Sequence, residues 1–133
     1  MAKRLGVISQ LRPKIVSQGV TDLENASQRM AKNTTYNAEE IYSILRLYVR
    51  EALAALQAGE TVKMDGLLSV TPNVKVGGDV DLGMRGDREA VAALNNPRLW
   101  TASKVQNHAN LTKTTAELVA QWNLAHPTDL VAD

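Results

Sequence analysis

A length of 133 residues suits one domain of ordinary size, and a chain that is 44% apolar and 22% charged is globular in composition. The net charge of +1 rules out a strong single-sign field, no apolar run nears the roughly 20 residues that span a bilayer, and the basic start MAKRLG is not followed by the apolar segment of a secretion signal. Without cysteine there are no disulfides, thiolate chemistry or Cys-ligated zinc, so the expected location is the cytoplasm.

Residues 1–20 contain Gly6, Pro13, Gly19 and the short apolar pairs Val7-Ile8 and Ile15-Val16, which predicts an extended N-terminal arm or edge strand. This segment carries Lys3, Arg4, Arg12 and Lys14 before the first acid, Asp22, as a phosphate-binding arm or a solvated basic tail would. The stretch TDLENASQRMAK then opens a short helix, with Thr21 three residues before Glu24 in capping-box spacing and Leu23, Ala26 and Met30 as a narrow apolar stripe. Asn37 and Glu40 open a second, longer helix that Gly59 closes. Ile41, Ile44, Leu45, Tyr48, Ala52, Leu53 and Leu56 recur at helical spacing, yet Tyr42, Leu47, Val49, Ala54 and Ala55 are apolar as well. A helix that is hydrophobic on more than one face must be covered on more than one side, either by the small domain wrapping it or by a second subunit, and a chain this short favours the second subunit.

Residues 54–71, ALQAGETVKMDGLLSVTP, turn this helix directly into a hairpin: Thr61 and Val62 are β-branched, Asp65-Gly66 suits a tight bend, and Leu67, Leu68 and Val70 follow. Gly77-Gly78 marks the next turn. Within 79–100, DREAVAALNNP reads either as a short helix stopped before Pro97 or as a strand around 90–94. WTASKVQNHANL alternates partially and predicts a strand, and TKTTAELVAQWNLAHP predicts a last helix with threonine caps and Pro127 as its stop. The succession helix, helix, hairpin, strand, helix is α+β.

The chain holds no catalytic constellation. His108 and His126 have no neighbouring ligand at metal spacing; the first belongs on a strand surface and the second in a last helical turn, where a cation suits the dipole. Asp79 and Asp81 share one strand face but sit beside Gly77-Gly78 as loop charges, serines and threonines lack an adjacent base, and glycine-rich phosphate motifs are absent. The expectation is a non-enzyme with no catalytic residues, metal, cofactor or small-molecule substrate, and no membrane partner.

The capped short helix, the capped long helix and its direct passage into strands resemble the HU and integration host factor family of bacterial DNA-architectural proteins. The family pattern L-x-x-G-x-x-V-x-[L/M]-x-G-x-[G]-x-F-x-V is met by Leu56, Gly59, Val62, Met64, Gly66 and Val70, while Leu67-Leu68-Ser69 replace the usual second Gly and Phe. TASKV (101–105) is similar to the segment before the family's last helix, and AELVAQW fits that helix. The likeness covers about residues 20–76 well and 100–125 loosely, and residues before 20 resemble an extension found in divergent HU-like proteins of Bacteroidetes.

The resemblance implies an HU-like fold: two N-terminal helices, a three-stranded antiparallel sheet with a β-ribbon or insertion, and a C-terminal helix, paired into an intertwined homodimer through Ile44, Leu45, Tyr48 and Leu53. It implies residues 1–20 as arm, 21–126 as DNA-binding domain and 127–133 as tail. It further implies double-stranded DNA as partner, bound as a nucleoid-associated architectural protein by ribbons that enter the minor groove and bend the duplex. The candidate DNA-binding residues are Lys3, Arg4, Arg12, Lys14, Lys75, Arg85, Arg88, Pro97, Arg98 and Lys104. In NNPR (95–98), Pro97 resembles the family's intercalating proline, or else serves as a plain turn or helix stop. The ribbon region, about 75–100, sets Lys75, Arg85, Arg88 and Arg98 against Asp79, Asp81, Asp87 and Glu89, whereas family arms are strongly basic. That neutrality supports an alternative, an HU-derived structural or protein-interaction module that has lost its DNA arm.

Overall fold

The computed structural model describes residues 1–131, and they form two compact units: Gly19–Asn95, and Met1–Gln18 together with the chain from Asn96 onward. Both are mixed helix and antiparallel sheet. The expected division into arm, single domain and tail is therefore replaced by a central unit inserted between the two halves of a terminal unit.

The central unit begins with α2 (Leu23–Lys32) and α3 (Ala38–Gln57). The cap of α2 is Asp22, not Thr21: its Oδ1 accepts from the Asn25 N–H at 2.8 Å, while Thr21 Oγ1 accepts from Arg29 at 3.2 Å. Asn37 caps α3 as expected, accepting from the Glu40 N–H at 2.8 Å. Gly59 ends it at φ +85°, and the Gly59 and Glu60 N–H groups return to the carbonyls of Leu56 and Ala55, the paired bonds of a Schellman motif. No side chain with a Cβ takes that φ without strain, which is why the helix stops there and the strand can start three residues later.

Strands β2 (Val62–Met64), β3 (Leu68–Val74) and β4 (Val80–Gly86) form an antiparallel sheet in that order. The register places Val62, Met64, Leu68, Val70, Pro72, Val74, Val80, Leu82 and Met84 on one face and Lys63, Ser69, Thr71, Asn73, Asp81 and Arg85 on the other. Pro72 lies beyond the last partner on β2, where β3 has an open edge and a missing N–H is tolerated. Asp87 then locks the end of β4. Its N–H donates to the Leu67 carbonyl, and its carboxylate accepts from Gly66 N–H and from Glu89 N–H, which caps α4 (Arg88–Leu94). Of the two readings of DREAVAALNNP, the helix is the one the chain adopts.

In the terminal unit the first twenty residues are not an extended arm. They contain α1 (Arg4–Leu11) and β1 (Lys14–Ile15), which pairs antiparallel with β5 (Val105–Gln106). The strand expected over WTASKVQNHANL is only this two-residue pairing, flanked by 3-10 turns at Pro97–Leu99 and His108–Asn110. The last helix, α5 (Thr115–Ala125), carries a full capping box between Thr114 and Glu117. Residues 127–131 are no tail: Val131 is buried, its N–H donates to Asn123 Oδ1, and it bridges Ala2. Residues 132 and 133 lie outside the described residues. Val7, Val105, Leu118 and Val131 form the buried apolar core.

Two asparagines fasten α1 to the far end of the chain. Asn107, at φ 59°, donates from Nδ2 to the carbonyls of Gln10 and Arg12, and the buried Asn110 donates to Leu11 at 2.8 Å. Helix C-terminal carbonyls have no intrahelical donors, so these amides supply them across nearly a hundred residues of sequence. Asn110→Ala is expected to cost about 1–3 kcal/mol, the penalty of a part-buried acceptor left unpaired, measured by denaturant unfolding followed through tryptophan emission.

Candidate nucleic-acid interface

The ten residues expected to meet DNA divide between the two units. Lys75, Arg85 and Arg88 belong to the central unit; Lys3, Arg4, Arg12, Lys14, Pro97, Arg98 and Lys104 belong to the terminal one.

The ribbon is β3 and β4, and its tip is the turn 75–79, closed by Gly77 and Gly78 at φ 102° and 97°. Pro97 is nowhere on it: the residue opens a 3-10 turn of the terminal unit, so the turn reading replaces the wedge. Arg88 starts α4, leaving Lys75 and Arg85 as the ribbon's cations. Lys75 is matched with Asp81 at 3.0 Å, and this hydrogen bond, then the Leu82 N–H, holds the Asp81 carboxyl below its usual range. Both partners are exposed, so solvent and salt weaken the pair, but its charge is balanced at the place where a DNA arm needs excess cation. The ribbon's apolar face is exposed instead, with Val74, Val80, Leu82 and Met84 open and Val76 fully so at the tip.

That face runs back toward α3. Tyr48, Val49, Ala52, Leu53 and Leu56 of α3 line a groove of about 310 Å³ with Val62, Met64, Leu68, Val70 and Leu82 of the sheet. Of the four residues expected in a dimer seam, Ile44, Tyr48 and Leu53 are exposed, whereas Leu45 is half-buried within the chain itself. Leu47, 55% exposed, joins them. Ile41 is the buried apolar side chain of the whole central unit among the described residues.

The terminal unit holds a different resource. Its sequence carries seven Lys and Arg (Lys3, Arg4, Arg12, Lys14, Arg98, Lys104, Lys113) against Glu117, Asp129 and Asp133, a net of +4, while the central unit carries eight against eleven, a net of −3. Its two described acids are engaged locally: Glu117 accepts from the Thr114 N–H, and Asp129 lies 3.5 Å from the N-terminal ammonium. Lys3 and Arg4 sit at the N-terminus of α1, whose first turn has no acid. The dipole there opposes a cation and favours an anion.

The β1–β5 ladder brings Lys14 and Lys104 together. Lys14 faces Gln106, and the Val16 N–H donates to the Lys104 carbonyl at 2.8 Å, which continues the register one residue beyond the Ile15–Val105 pair. The two lysines are thus diagonal neighbours, about 7–8 Å apart at Cα by strand geometry, with Arg12 two residues before Lys14. None of the three forms an ion pair among the described residues. Lys104 stood in the sequence near a presumed ribbon; no periodicity signals that it faces Lys14, ninety residues away.

The two histidines lie on different elements. His108 opens a 3-10 turn, not a strand, and His126 stacks on Trp122 with ring centroids 3.7 Å apart. Among the described residues no group of three or more His, Cys, Asp or Glu could hold a metal ion, and no helix is long and apolar enough to cross a membrane. What fold and surface define is an α+β protein whose central unit leaves apolar side chains exposed and whose terminal unit is net basic. No family model matches the sequence, and no curated protein matches it.

Proposed function

We propose that this chain is one protomer of an HU-like homodimer that binds duplex DNA through phosphate contacts and duplex shape, as a cytoplasmic, nucleoid-associated binding protein without catalytic chemistry. The observation that carries the reading is the central unit: two capped helices feeding a three-stranded antiparallel sheet with a projecting ribbon, its apolar face and α3 left open for a second copy. No basic recognition helix is present to read base edges, since α5 contains no Lys or Arg. Binding is therefore expected to show little sequence preference.

A second reading, an interaction module that keeps the dimer without DNA, is favoured by the charge-balanced ribbon and its exposed apolar face. Titrating linear and pre-bent duplexes across a salt series separates the two. The DNA reading expects log affinity to fall linearly with log salt at a slope of about 0.9 per phosphate contact; no binding to any duplex at low salt abandons it for the interaction module.

A further inference from the structure

The central unit's ribbon is the element that an HU-like duplex binder would use as its grip, yet it has no cationic excess to offer. Lys75 is held by Asp81, Asp79 closes the tip, and the unit around them is net negative. The terminal unit has the reverse balance, and the fold gathers part of it deliberately. The antiparallel pairing of β1 with β5 sets the half-buried Lys14 and Lys104 as diagonal neighbours, the exposed Arg12 leaves α1 immediately before them, and the unit's described acids are occupied elsewhere.

We propose that the phosphate grip of this protein lies on the terminal unit, with Arg12, Lys14 and Lys104 as its centre and Lys3 and Arg4 as its outer edge, and that the ribbon contributes no phosphate contact. The proposal rests on the duplex-binding reading and says where that binding happens. Its spacing suits a duplex. The eight residues of α1 span ~12 Å at 1.5 Å per residue, separating Lys3 and Arg4 from Arg12, and each strand of a duplex offers one phosphate per about 3.4 Å of axis. The two ends of α1 therefore meet different phosphates of one backbone run. The ligand is the phosphodiester backbone of duplex DNA, held without reference to base identity.

Two triple variants of the full chain test it, each titrated with one linear duplex across a salt series. Arg12→Gln/Lys14→Gln/Lys104→Gln is expected to lower affinity at low salt more than about tenfold and to reduce the slope of log affinity on log salt by up to about 2.7, or 0.9 per contact. Lys75→Gln/Arg85→Gln/Arg88→Gln is expected to change neither. Both tryptophans lie in the terminal unit, so unshifted emission certifies its fold. If the first variant shifts it, the exposed Arg12→Gln change alone carries the test, with an expected slope loss of about 0.9. A slope lowered by the ribbon variant and untouched by the terminal one overturns the proposal while leaving the duplex reading standing. A wild-type protein that binds no duplex at low salt overturns both.

Discussion

On the proposed homodimer, a chain carrying Ile44→Glu and Leu47→Glu is expected to run as a monomer and to lose most of the stability of its central unit. Ile44, Leu47 and Tyr48 stand at i, i+3 and i+4 on α3 and share one face, and Ile44 is 61% and Leu53 54% exposed in the single chain. Burying such a side chain against a partner is worth about 1.5–3 kcal/mol, while a buried unpaired carboxylate costs several more. Against a typical total of about 5–15 kcal/mol, two such changes remove the seam. Light scattering is expected to report a dimer for the wild type and a monomer or aggregate for the variant. The wild-type melting temperature is expected to rise with protein concentration, as linkage to assembly requires. A compact wild-type monomer at micromolar concentration, melting independently of concentration, would sink the dimer.

Deletion of residues 1–18 is expected to unfold the terminal unit and spare the helices of the central one. The deletion removes Val7 from a small core, takes away the strand paired with β5, and leaves Asn107 and Asn110 without the carbonyls of Gln10, Leu11 and Arg12. A large apolar deletion and one buried amide left unpaired together cost on the order of 5 kcal/mol, comparable to the whole stability of a unit this small. The aromatic residues make the outcome readable. Trp100 and Trp122 lie in the terminal unit and Tyr36, Tyr42 and Tyr48 in the central one. Tryptophan emission is expected to shift to that of solvent-exposed indole while the helical signal of α2 and α3 persists. Had residues 1–20 been a loose arm, the same deletion would leave the emission unchanged, and that result would count against the packing described.

The sequence by itself determined the local elements of the central unit. Caps, stops and alternation act within a few residues, so Asn37, Gly59, the Asp65-Gly66 bend and the glycine pair at 77–78 each announced a boundary that the backbone obeys. The C-terminal helix was legible for the same reason, through its threonine caps and Pro127, and the structure adds Glu117 as the second half of a capping box. A one-residue error at α2, Thr21 for Asp22, reflects two adjacent side chains able to cap and only one with the geometry to reach Asn25.

Tertiary structure alone decided what the two ends of the chain do. The helix α1 has no side-chain cap and no acid in its first turn, so nothing local distinguishes it from an arm; it is held by asparagines and a strand that arrive about ninety residues later. Pro97 carried two readings, ribbon wedge and plain turn, because a four-residue motif holds no information on which unit it joins, and the fold places it in a turn. The candidate phosphate surface was hidden for the same physical reason. Charge can be counted along a sequence, but a strand pairing between Lys14 and Gln106 is a long-range contact, and only that contact turns scattered lysines into one face.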